Sequence, residues 1–177
     1  MGNVRPTDSK IDHEGLVTGS NADGLRHAQR AYVHVSRTGI VESVVSSLAR
    51  GAASKFIELP RISDYIVKYA QLYAASLNSC GIAAPVAIVA SLVGVKDMRL
   101  VQDFIANVIA EDLPFGALHE DSVHFGEVIF ETVPAEYNES AKTLRPLLNH
   151  MANAAALPSS PYFDADGNYT LKVRQGL

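Results

Sequence analysis

The chain has 177 residues, 47% of them apolar and 19% charged, with a formal net charge of −4 at pH 7. That is enough for one domain with its own core, too apolar for wholesale disorder, and without the dense basic face that nucleic-acid binding usually requires. A single cysteine, Cys80, excludes an internal disulfide and any multi-cysteine metal site.

In chain order, residues 1–25 are polar and lack sustained periodicity, so they are expected to form a flexible lead-in with one brief extended piece at Gly15-Leu16-Val17. A single domain is expected over 26–177. The N-terminus has no apolar stretch of the secretory kind, and Pro6 stands where a myristoylation motif takes Ser or Thr. The longest apolar run, 81–95, contains Pro85 and falls short of the roughly 20 residues that cross a bilayer. These features predict a cytoplasmic protein with no membrane partner.

Tyr32 to Ser36 alternates and is β-branched, Arg37-Thr38-Gly39 punctuates it, and Ile40 to Val45 follows, which predicts two strands joined by a tight turn. Val44 to Leu48 can alternatively open a short helix. Phe56 to Leu59 reads as a further strand, stopped by Pro60 because proline lacks the ladder donor. From residue 62 to 80 the period becomes 3.6, with Ile62, Ile66, Tyr69, Tyr73, Leu77 and Cys80 on one face, closed by Gly81. Cys80 is expected to be a buried small hydrophobe, and Tyr65, Tyr69 and Tyr73 to pack in the core or at its rim rather than to stack on bases.

Pro85 to Val95 suits a strand buried on both faces at the centre of a sheet. Residues 98–110 fit a helix or a hairpin arm equally. Val128 to Val133 predicts a strand ended by Pro134, and Leu144, Leu147, Leu148, Met151, Ala154 and Ala155 form the buried stripe of a final helix over 143–156. Pro146 must lie in its first turn or kink it.

Three groups of residues are candidates for function. His119-Glu120-Asp121-Ser122-Val123-His124 is dense in metal-capable side chains, but a spacing of five sets the second imidazole about 100° around a helix from where a spacing of four would place it. That excludes a zincin and leaves a loop metal site of His119, Asp121 and His124. Arg26, Arg30, Arg37 and Arg50 make the first third weakly basic, with eight Lys or Arg against six Asp or Glu in residues 1–61; Arg26, Arg30 and Arg37 are the candidate nucleic-acid contacts. Asp164-Ala165-Asp166-Gly167-Asn168 resembles the start of a calcium loop, but position twelve is Gln175 instead of Glu. A turn is expected there, with Gly167 at positive φ and the aspartates bonded to their own backbone. No P-loop, dinucleotide fingerprint or nucleophile elbow is present, so no catalytic residue and no cofactor is assigned.

Glu14 to Val17, Ala31 to Glu42, Ala84 to Val95 and, most closely, Leu144 to Asp164 resemble the C-terminal domain of the bacterial Schlafen/AlbA-like proteins described as DNA-binding or ATP-binding. The resemblance spans roughly residues 14–168 and implies an α+β region that accompanies an AlbA-like module. Nucleotide or nucleic-acid binding is usually assigned to that module, which this sequence does not contain, so no family site transfers to a residue here. The usual Arg-Asn-Gly turn is Arg37-Thr38-Gly39, and an aromatic of the last helix is replaced by small residues around Ala152-Asn153-Ala154.

Together these readings predict an α+β fold: a mixed, mainly antiparallel sheet of four to six strands with the 62–80 and 143–156 helices packed on one face. The expected function is a non-catalytic interaction or regulatory module, acting through self-assembly or a protein partner. The alternatives are a metal-dependent hydrolase or nuclease built on the His119 to His124 cluster, and a weak nucleic-acid-binding module.

Overall fold

A computed structural model describes residues 8–11, 13–21, 29–45, 55–101 and 117–171. The chain divides into two compact units, Met1–Leu48 and Ala49–Leu177. Each is described by itself.

The first unit is an antiparallel meander of β1 (Asp8–Ile11), β2 (Gly15–Asn21), β3 (Gln29–Ser36) and β4 (Val41–Val45), hydrogen bonded in that order. The hairpin expected around Gly39 is present: Gly39 takes φ 84°, and the Ser36 hydroxyl accepts the Ile40 amide at 3.0 Å. The expected lead-in is corrected here, because part of it supplies β1 and β2. Their polar sequence carries little strand signal of its own, and the extended form comes from pairing, with Gly15 opposite Ser36 and Leu16 opposite Val35. A Cβ at Gly15 would overlap the Val35 carbonyl, so β2 can approach β3 this closely only with glycine there. The short helix considered from Val44 is replaced by strand through Val45, its remainder lying outside the described residues.

The second unit holds β5 (Phe56–Glu58), α1 (Leu59–Ser79), β6 (Val86–Val93), β7 (Arg99–Val101), β8 (Ser122–Phe130), α2 (Tyr137–Thr143) and α3 (Arg145–Ala154). β5 pairs in parallel with β7, and β6 pairs antiparallel with β8. The α+β class and the predominance of antiparallel pairing hold, with the strands among the described residues distributed over three sheets instead of one.

Pro60 does not stop a strand. It lies in the first turn of α1, where its missing N–H has no helical acceptor to satisfy, so the helix starts three residues earlier than its periodicity suggested. At the other end the Gly81 amide bonds the Asn78 carbonyl at 3.0 Å and the Ile82 amide bonds the Leu77 carbonyl at 2.9 Å, with Gly81 at φ 85°. This paired closure makes Cys80 the capping residue and leaves it exposed, which corrects its expected burial.

The buried stripe of α1 is Leu59, Ile62, Ser63, Val67, Ala70, Ala74 and Leu77. Small Ala70 and Ala74 allow close packing, while Tyr65, Tyr69 and Tyr73 ride at the flank with ring centroids 5.8 and 5.7 Å apart. β8 begins six residues before the expected Val128 and stops at Phe130.

The expected last helix, 143–156, is α3, with Pro146 in its first turn, and α2 is a further helix that precedes it and meets it at Leu144. Leu144, Leu147, Leu148, Met151 and Ala152 are buried together with Phe125 and Phe130 of β8. Of the ambiguous stretch 98–110, Arg99–Val101 is strand and the rest lies outside the described residues.

The C-terminal segment is tied to α1 and α2 by polar bonds and stacked rings. The Tyr137 hydroxyl donates to Asp64 Oδ1 at 2.6 Å, and the Tyr169 amide donates to Asn138 Oδ1 at 2.8 Å. The Tyr169 ring meets those of Phe163 and Tyr137 at 5.2 and 5.7 Å. Burial first, and the Asp64 carboxylate second, push the Tyr137 and Tyr169 phenols well above the ordinary tyrosine range, so both stay neutral.

α3 closes as α1 does, with Ala156 bonded to Asn153 and Leu157 to Ala152, each at 2.9 Å. Here, however, the left-handed residue is Ala156 at φ 60°. Its Cβ carries the strain that glycine avoids at position 81. Ala156→Gly should therefore stabilise the protein by up to about 1 kcal/mol, read as a rise of roughly 2–4 °C in a thermal melt, whereas Gly81→Ala should lower the midpoint by a similar amount. A fall on Ala156→Gly would contradict this account of the two closures.

Candidate interaction surface

The β6–β8 ladder has one face in the core and one in solvent, and a single irregularity decides which side chains go where. Val89 pairs with Glu127 and Ser91 with His124, so Ala90 stands opposite two residues, Phe125 and Gly126. This is a β-bulge, with Gly126 at φ 85° supplying the left-handed residue that the turn of the strand needs. The extra residue shifts the inside-outside alternation by one. Phe125 and Phe130, five apart in sequence, are both buried, while His124 and Glu127, three apart, are both exposed. The Phe125 ring meets the His150 imidazole of α3 edge to face at 6.3 Å.

Outward along β6 lie Ala87, Val89, Ser91 and Val93; beside them on β8 lie Ile129, Glu127, His124 and Ser122. Val89 is 65% exposed, Val93 73% and Ile129 46%. The expectation of a strand buried on both faces is thus corrected for 86–93. β6 has one ladder partner among the described residues, and its outer side chains are uncovered because α1 and α3 pack against the other face. At the middle of the face the Ser91 hydroxyl and His124 Nδ1 are 2.8 Å apart. A serine bonded to a histidine is the beginning of a nucleophile relay, but among the described residues nothing holds His124 Nε2.

The other candidates from sequence are not gathered into a site. His119, Asp121 and His124 are all exposed, and among the described residues no three His, Cys, Asp or Glu side chains stand close enough to hold a metal ion. His119 and Asp121 precede β8, whereas His124 is inside it and turned to Ser91. Arg37 is exposed at the β3–β4 turn, Arg30 is in β3, and Arg26 and Arg50 lie outside the described residues.

The 164–168 segment forms the expected turn. Gly167 has φ 78°, Asp164 Oδ1 accepts the Asn168 amide at 2.7 Å, and that amide is the main reason the Asp164 carboxyl lies below its ordinary range. A groove of about 540 Å³ runs between α1 and residues 133–135, where Gln71 Nε2 donates to the Ala135 carbonyl at 3.1 Å. Its lining pairs no acid with a base.

No family model, no curated protein and no solved structure matches this chain. The functional reading therefore rests on its own residues.

The sequence carried a signal for this surface in Gly126, since an isolated glycine within a strand pattern marks a bulge. Counting across it brings His124 and Glu127 to one face. A Cβ at Gly126 meets nothing nearer than His150 Nδ1 at 3.9 Å, so backbone conformation and not space is what demands glycine. Gly126→Ala should cost about 1–2 kcal/mol, measured by denaturant unfolding with an unchanged m-value. A neutral result would mean that the bulge is not pinned by this residue.

Proposed function

We propose that the chain is a non-catalytic interaction module whose contact surface is the outer face of the β6–β8 ladder, acting through association with itself or with another protein. The observation that carries this reading is the exposure of Val89, Val93 and Ile129 together on that face. Branched aliphatic side chains grouped on one solvent-facing ladder lose hydration when covered, and such patches mark docking surfaces. The resemblance to the C-terminal domain of Schlafen/AlbA-like proteins supports the same reading, because that region accompanies the nucleic-acid-binding module.

The test is sedimentation of the full chain beside the Val89→Glu/Val93→Glu double variant. Both side chains are exposed, so the melting midpoint should change little, while any concentration-dependent association should weaken at least about tenfold, the equivalent of ~1.4 kcal/mol. A variant that associates as well as the parent, or a parent that is strictly monomeric up to millimolar concentration and captures no partner protein that the double variant loses, would overturn the reading.

A further inference from the structure

We infer that the occupant of the β6–β8 outer face is a second copy of this chain, stacked about a two-fold axis so that Glu127 of each copy meets His124 of the other. This deepens the preceding reading and rests on it. The argument comes from the register. The face is four rungs long: Ala87 with Ile129, Val89 with Glu127, Ser91 with His124, and Val93 with Ser122. Its two ionisable residues lie on the same strand in adjacent central rungs.

A two-fold contact must match this pattern to itself. An axis running along the strands would set Glu127 over the second copy's Val89, burying a carboxylate against an aliphatic side chain. An axis lying across the strands on the Val89–Glu127 rung would set Glu127 over its own equivalent, and one on the Ser91–His124 rung would do the same with the imidazoles. Only an axis across the strands midway between those two rungs pairs unlike groups. It produces two Glu127–His124 contacts, stacks each copy's Val89 on the other's Ser91, and places Val93 on Ala87 at both ends.

The state of the two groups in the single chain agrees. The Ser91 hydroxyl occupies His124 Nδ1, leaving Nε2 for an external acceptor, and among the described residues no hydrogen bond or ion pair engages the Glu127 carboxylate. Each contact is a charge-assisted hydrogen bond from His124 Nε2–H to the Glu127 carboxylate.

From Ala87 to Val93 the face is roughly 20 Å long and two strands wide, well under the ~800 Å² per partner of a standard stable complex. The association is correspondingly weak and needs measurement up to millimolar protein.

Sedimentation equilibrium of the full chain at pH 7 and low salt tests the pairing. His124→Glu and Glu127→His, which set like groups against each other, should each weaken self-association on the order of tenfold. The double exchange His124→Glu/Glu127→His should restore it. If the Val89→Glu/Val93→Glu variant dissociates while both single exchanges associate like the parent, the stacking inference fails and the docking face stands. A double exchange as weak as either single one also overturns the pairing, as does a strictly monomeric parent, which leaves the docking face to a different protein.

Discussion

The second unit depends on one shift of alternation in β8. Without the extra residue at Phe125 and Gly126, one of the two phenylalanines, Phe125 or Phe130, would face solvent. Exposing either one forfeits about 1.5–3 kcal/mol, whereas the bulge interrupts one rung of the ladder, worth roughly 0.5–1.5 kcal/mol, and glycine takes the left-handed conformation at little steric cost. Burial wins by this comparison. The same shift that draws both rings under α3 sends Glu127 and His124 outward together, so core packing and surface chemistry are two results of one backbone event.

Around that core the polar bonds settle position more than they add stability. Asp64 and Tyr137 join α1 to α2, Asn138 receives the Tyr169 amide, and Asn149 Oδ1 accepts the Ser160 amide at 2.9 Å. Each net contribution is of order 1 kcal/mol, but these bonds are directional where the surrounding aromatic contacts are not. Arg145 adds a cation over the Phe163 ring at 5.0 Å, linking the start of α3 to the final turn.

What could be read from sequence was local. The periodicity of α1, the glycine that closes it, the hairpin at Gly39 and the turn at Gly167 are each encoded within a few residues, and each was legible. β1 and most of β2 were not, beyond the brief extended piece at Gly15-Leu16-Val17, because the polar residues around it are extended through their pairing. The exposed side of β6 was hidden for a related reason: Val, Ala, Ile and Leu occupy both of its faces, and only the placement of the helices decides which one is covered. His119 and His124 misled by proximity in sequence, since the start of β8 between them separates a loop from a strand. Of the surface, the glycine that shapes it was visible, and the cross-strand neighbours that give it meaning were not.

The parallel pairing of β5 with β7 bears on how the second unit comes together. Glu58 opposite Val101 joins positions 43 apart in the chain, with α1 and β6 on the connection between them. Closing such a loop has an entropic cost that three rungs of ladder recover poorly unless the intervening helix has already shortened the span. Leu100 and Ile57, both enclosed and opposite one another in the ladder, are the clasp that fastens the two ends of that connection.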